Sequence, residues 1–305
     1  MKISRFALKF ITPCFCSGQN PLVAEIRESS VRGELRWWYR AVGGTKEQER
    51  AIFGGVGEHI AASSIRVRII NVTFSDKSYQ PNYLKPGDPG SYINYYLGAS
   101  TETRSSRLWE QEPDTKKKGV VRKGAFIPHD STFTLEIAEI RPIPSVARAV
   151  YDLAIISFLR FGSIGYRHTR GFGSWTCVEM IGSLDETKTA FQPLLDLADN
   201  FTAEWSEGST SSDAVVNQIE NRLKADKKTG KGLRFAHPAA RPTDPPTALG
   251  CSTNTLRQQS AVRFRPFEFK TKSGDIQMRL LIFQGPDFLL DSQIVAPHRS
   301  ISLKP

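Results

Sequence analysis

Gly162-Ser-Ile-Gly-Tyr-Arg-His-Thr-Arg-Gly-Phe-Gly-Ser-Trp175 is the stretch around which the chain is organised. Four glycines bracket Arg167, His168 and Arg170. Glycine permits positive φ and close backbone approach, so such a loop can offer N–H groups to an anion. A continuous apolar run over 145–161 precedes it and predicts a mostly buried helix. A strand-like run over 174–180 follows. A basic glycine loop at this junction suits a nucleic-acid backbone; a helix stop followed by a surface turn is the plainer reading.

Working outward, four further segments frame the loop. Phe6, Leu8 and Phe10 alternate with Arg5, Ala7 and Lys9, the period of a half-buried strand. Residues 12–21 form a loop by their Pro, Gly and Asn content. Ser29 or Ser30 offers an N-cap for a helix over 31–42, whose core stripe is Val31, Leu35, Trp38 and Val42. Ile65, Val67 and Ile69 alternate with Arg66 and Arg68, a strand with a basic outer face. Phe133, Leu135 and Ile137 alternate with Thr132, Thr134 and Glu136 as a third strand, and residues 175–178 make the fourth.

The order β-α-β-(insertion)-β-α-β predicts an α+β, ferredoxin-like (RRM-like) unit over residues 1–181, with an insertion at 76–125. The insertion mixes tyrosines and Trp109 with cations including Arg104 and Arg107. That mixture suits single-stranded nucleic acid, or equally a solvated surface segment. On the 31–42 helix, Arg32, Arg36 and Arg40 stack at i, i+4, i+8, flanked by Trp37 and Tyr39. Stacked like charges disfavour a helix slightly, and Glu34 cannot neutralise all three, which invites an external anion.

Residues 182–305 read as a second, incomplete ferredoxin-like unit. It has helices at 193–201 and 214–225 (the latter capped by Asp213) and a loop-rich 227–260. Strands at 261–270 and 276–283 are joined by a turn at 272–275. Pro266 breaks the alternation by one residue and predicts a bulge.

Composition narrows the partner. The 305 residues carry 41 Lys and Arg against 31 Asp and Glu, a net charge of +10, most of it in residues 1–180. Such an excess favours an acidic partner, nucleic acid above all. Four cysteines are too few for a disulfide framework at this length, and Cys14-x-Cys16 has the wrong spacing for a zinc knuckle. Reduced thiols, a cytoplasmic setting, no metal and no cofactor are therefore expected. The start has charges inside its apolar run, unlike a signal peptide, and no window is apolar enough to span a membrane.

Ile11-Thr-Pro with Gly18, Ser29-Ser-Val-Arg-Gly-Glu-Leu-Arg-Trp-Trp-Tyr-Arg40, Phe53-Gly-Gly, and Gly162-Ser-Ile-Gly with Arg170-Gly-Phe-Gly-Ser174 together resemble the RAMP superfamily of CRISPR-associated RNA-binding proteins. Within it they look most like the first-subunit family of the type III-B (Cmr) effector complex. The matches span residues 1–180. The resemblance implies two ferredoxin-like domains, other Cmr subunits, crRNA and target RNA as partners, a place near the crRNA 3′ end, and no catalytic residues. The candidate RNA-binding residues are Ser30, Arg32, Arg36, Trp37, Arg40, Arg104, Arg107, Arg167, His168, Arg170, Gly171, Phe172 and Gly173. The competing reading is a RAMP-type endoribonuclease. His168 would be its acid or base, with His129-Asp130 a weaker choice, or an insertion aspartate (Asp76, Asp88, Asp114) would cleave target RNA. His168 has only cations beside it in sequence, and general acid–base chemistry wants a positioned partner.

Overall fold

A computed structural model describes residues 1–20, 23–55, 60–76, 109–110, 120–121, 126–197, 201–207, 211–223, 251–252, 257–258, 260 and 262–286. Nearly all of the 76–125 insertion, with Arg104, Arg107, Asp88 and Asp114, lies outside those residues. So does most of 227–260.

The chain begins with β1 (Lys2–Phe10), then α1 (Glu28–Ala41) and α2 (Lys46–Phe53). β2 (Ile65–Thr73) follows, with the short strands β3 (Trp109–Glu110) and β4 (Val120–Val121) paired within the insertion. β5 (Thr132–Glu139), α3 (Ser145–Phe161) and β6 (Trp175–Cys177) complete the first part. Next come α4 (Leu184–Leu195), β7 (Thr202–Trp205) and α5 (Ser212–Leu223). The short β8 (Cys251–Ser252) and β9 (Arg257–Gln258) precede β10 (Val262–Lys270) and β11 (Ile276–Gln284).

Four strands form an antiparallel sheet in the order β2-β5-β1-β6. Its register places Leu8 opposite Phe133 and Val67 opposite Ile137. Those side chains share one face because side chains alternate along a strand. That face is packed under α1 and α3, where Val31, Leu35, Trp38, Ala154 and Phe158 are buried. Trp175 closes the core from β6, its indole N–H donating to the Leu159 carbonyl at 3.1 Å and its ring meeting Phe158 edge-on.

A second antiparallel sheet, β10-β11-β7, joins the same hydrophobic cluster. Phe201 stacks parallel to Trp38, and Phe191 meets Phe161 edge-on. The edge of β10 runs along the first part. Phe264 N–H donates to Thr169 O at 3.0 Å, and Lys270 N–H to Gly182 O at 2.7 Å.

Local signals account for several departures from expectation. α1 starts at Glu28 rather than 31, with Arg27 at the N-cap and no side-chain cap, so neither Ser29 nor Ser30 caps it. α2 went unforeseen although Thr45 and Gln48 form a reciprocal capping box. Ser183 and Glu186 form another, which starts α4 nine residues before the expected 193; Pro193 sits inside that helix and residue 201 is not helical. Ser211, not Asp213, caps α5, its hydroxyl accepting from Ala214 N–H.

Pro266 makes no bulge. The β10–β11 register is unbroken from Val262 opposite Gln284 to Lys270 opposite Ile276. Leu280, opposite Pro266, turns both its N–H and its carbonyl toward Ser206 instead. A ladder position that needs no donor tolerates proline. The alternation looks broken because both faces of β10 are buried, with Phe264 on one and Arg263, Arg265, Phe267 and Phe269 on the other.

Candidate nucleic-acid interface

The glycine loop is folded inward. Ser163 and Ser174 form an antiparallel bridge across its base. Its N–H groups find partners within the protein: Ile164 donates to Gly173 O, Tyr166 to Phe15 O, Arg170 to Arg167 O, Gly171 to His168 O and Gly173 to Pro13 O. Ser174 N–H donates to Thr12 Oγ1, which in turn donates to Gly171 O at 2.6 Å. These donors hold the loop together.

Two glycines have steric reasons. Gly173 has φ +61, and a Cβ there would run into the Ile164 carbonyl oxygen. Gly171 has φ +89 and faces Ile219 and Pro266. Phe172 is buried against Phe15. Arg170 is 5% exposed, its guanidinium 5.7 Å from the centre of the Phe264 ring. Of the loop's cations, Arg167 reaches the surface, lying over the exposed Tyr166 ring at 5.1 Å and held at φ 60.

The arginine stripe of α1 is turned onto α2. Arg32 donates to Phe53 O, and Arg36 donates to Gly54 O. Arg36 Nε lies 3.1 Å from Glu49 Oε1, and Arg40 Nη1 lies 3.1 Å from Glu49 Oε2. Burial, then the neighbouring Arg36, lowers the Arg32 pKa. One buried carboxylate neutralises part of the stripe, and the Arg36 and Arg40 side chains stay about a third exposed. Ser30 is half-buried beside Cys16.

α1 reaches the loop through Glu34. Glu34 Oε2 accepts from Arg263 Nη1 at 2.8 Å, and its Oε1 lies 3.5 Å from His168 Nε2. Arg263, 3% exposed in its side chain, lies flat over the Trp37 ring at 3.6 Å. Burial raises the Glu34 pKa, but Arg263 and then His168 outweigh it and hold the carboxyl below its usual range. For His168 burial dominates and lowers the pKa against the pull of Glu34. His168 therefore has a carboxylate partner that sequence proximity hid, 134 positions away along the chain. Arg263 is 229 residues from Glu34, and no local signal marks either as a pair.

On the face of the four-stranded sheet away from α1 and α3, exposed arginines stand on β1 and β2. Register aligns Arg5, Glu136 and Arg68 across β1, β5 and β2, with Ile3, Ala138 and Arg66 on the next rung. Arg5 and Arg68 are 63% and 54% exposed in their side chains and flank the buried Glu136, Arg5 at 2.9 Å. Arg66 is also exposed. No aromatic side chain stands on these rungs. The outer face of β2 was legible in sequence, while Arg5 was not singled out. His129 and Asp130 lie in the turn before β5, with Asp130 at φ 63, and Asp76 is exposed after β2. Among the described residues no three His, Cys, Asp or Glu groups converge as for a metal, and no helix is long and apolar enough to cross a membrane.

A four-stranded sheet backed by two helices, with exposed arginines on its other face, adjoins a glycine loop locked against the second sheet, an arrangement to be set beside the RAMP class of proteins. The sequence profile of the RAMP superfamily matches residues 7–177, and the chain belongs to that superfamily. Within it the chain is similar to CRISPR system Cmr subunit Cmr1-2 of Pyrococcus furiosus. The two are 25% identical over 185 residues, covering 55% of this chain and 91% of that protein. The crystal structure of apo Cmr1 from Pyrococcus furiosus shares the fold, with a TM-score of 0.59 at 19% identity, covering 98% of this chain and 92% of that one.

Proposed function

We propose that this chain is a non-catalytic RNA-binding subunit of a type III-B CRISPR (Cmr) effector complex, acting in the cytoplasm. It holds the backbone of crRNA and target RNA near the crRNA 3′ end, in company with other Cmr subunits. Residues 1–181 form its ferredoxin-like domain, a reading supported by the order β2-β5-β1-β6. Residues 182–305 form a second, shortened one.

The observation that carries the RNA reading is the trio of exposed arginines Arg5, Arg66 and Arg68 on neighbouring rungs of one sheet face. Guanidinium groups bind phosphate oxygens in bidentate fashion, which favours contact with the RNA backbone. The test is single-stranded RNA binding measured across a salt series. Affinity should fall with a log–log slope of about −0.7 per phosphate neutralised. Replacing Arg5, Arg66 and Arg68 together by Gln should flatten that slope by roughly 2. A slope unchanged by the triple replacement would remove this face from the RNA site.

The Glu34–His168 contact gives a specific reason to test the ribonuclease reading as well, since it supplies the base with an orienting carboxylate. Arg263 weighs against it, because it holds the same carboxylate in a closed, buried pair. Labelled RNA incubated with wild type and His168→Ala, with and without divalent metal, separates the two. Cleavage by wild type that disappears in His168→Ala with binding retained would overturn the non-catalytic proposal.

A further inference from the structure

Glu136 is a buried carboxylate in the middle of the sheet face that carries the RNA reading, and that reading gives it no role. It is 4% exposed. Register places it on β5 between Arg5 of β1 and Arg68 of β2. Side chains alternate along a strand, so Thr134 and Ala138 share its face of β5. Ala7 and Ile70 flank Thr134, and Ile3 and Arg66 flank Ala138. Ala138 is buried and Thr134 half-buried, so the central strand lies low between the arginines of its neighbours.

The two arginines hold this carboxylate unequally. Arg5 takes one oxygen: its Nε donates to Glu136 Oε2 at 3.0 Å, and its Nη2 lies 2.9 Å from the same atom. Arg68 Nη1 stands 3.9 Å from Oε1, beyond hydrogen-bond distance. Among the described residues no hydrogen bond reaches Oε1. A carboxylate oxygen has two lone pairs to offer, and leaving it unfilled in a buried setting is costly. Arg68, 54% exposed in its side chain, can turn to a phosphate without giving up a hydrogen bond to Glu136. In turning it uncovers Oε1.

We propose that Glu136 Oε1 accepts a hydrogen bond from a ribose 2′-hydroxyl, so that this face selects RNA over DNA. The proposal rests on the RNA reading and gives it a source of specificity. Along one RNA strand a ribose, with its 2′-hydroxyl donor, separates each phosphate from the next. The rung Arg5–Glu136–Arg68 offers the complement in the same order: cation, acceptor, cation. Phosphates go to the guanidinium N–H groups that are not turned to Glu136, and the hydroxyl between them fills Oε1. The 2′-hydroxyl is the group by which a protein tells RNA from DNA at a given site. Deoxyribose has no donor there, so DNA leaves the carboxylate unfilled beside its own phosphates. A hydrogen bond to a charged group favours RNA by about 10- to 100-fold.

The experiment measures dissociation constants of the full chain for single strands of one base sequence: RNA, DNA with uracil in place of thymine, and 2′-O-methyl RNA. The last keeps the 2′ oxygen but has no proton to donate. Wild type should bind RNA about 10- to 100-fold more tightly than either of the others. Glu136→Ala should bring the affinities together, weakening RNA and strengthening DNA. Glu136→Gln keeps a carbonyl acceptor and the shape, so it should retain a reduced preference, and it decides where the alanine variant does not fold. A carboxylate that only orients Arg5 would move RNA and DNA alike. Equal wild-type affinity for RNA and DNA, 2′-O-methyl RNA bound as tightly as RNA, or an RNA preference undiminished in a folded variant would each overturn the proposal. The RNA-face reading fails separately, on a salt slope that the joint replacement of Arg5, Arg66 and Arg68 leaves unchanged.

Discussion

At the scale of single residues, Glu34 holds the most consequential position. It compensates Arg263, whose guanidinium is buried between Trp37 and the glycine loop. Removing one partner of a buried pair strands the other charge and costs roughly 3–5 kcal/mol. Glu34→Ala should therefore lower unfolding stability by that order in a urea titration; a loss under about 1 kcal/mol would mean the pair behaves as a surface one. The same cluster sets a pH response. The folded-state pKa of His168 is lowered, so the unfolded chain binds the proton first as pH falls. Stability from this group is complete above the ordinary histidine pKa of about 6.5 and is lost below it. Glu34, also lowered, acts in the same direction at more acid pH. Melting temperature should drop between pH 7.5 and 5.5, and His168→Gln should reduce that drop.

At the scale of elements, α1 and α2 form a unit through Glu49. Arg36 joins α1 both to Glu49 and to the Gly54 carbonyl that ends α2. As a candidate RNA-binding residue read from sequence, Arg36 replaced by Ala is expected to weaken RNA binding without touching the fold. With the clamp in view, it should also destabilise, by about 1–2 kcal/mol, a figure kept low because the side chain is a third exposed. Trp38→Ala should cost more, roughly 3–5 kcal/mol, since Trp38 is fully buried against Phe201 and Phe283. Thermal unfolding of both variants checks the order; Arg36→Ala as the more damaging would reverse it. The glycine loop behaves similarly. Gly171→Val forces a side chain into Ile219 and Pro266 at φ +89, so its first effect should be a lower melting temperature rather than a lower RNA affinity alone.

At the scale of the whole molecule, charge and topology combine. The +10 excess is a property of composition, but its use depends on which cations face water. Arg170 and Arg263 are consumed inside, Arg32, Arg36 and Arg40 are partly consumed by α2, and Arg5, Arg66 and Arg68 stay exposed, with Arg5 and Arg68 sharing the single carboxylate of Glu136. Strong salt dependence of RNA binding should therefore survive Arg170→Gln in a folded variant and diminish in the sheet-face variants, as a salt titration of each would show. The sequence by itself determined the four strands and two helices of the first sheet, the Val31–Leu35–Trp38 stripe and the superfamily, because these are written in local periodicity and contiguous motifs. It also held the capping boxes at Thr45 and Ser183, which fix α2 and the true start of α4. Only the tertiary structure decided that the glycine loop is a structural joint, that His168 faces Glu34, and that β10 is buried on both faces. Each of these depends on residues brought together across more than a hundred positions of chain, where burial and desolvation, rather than residue type, assign the role.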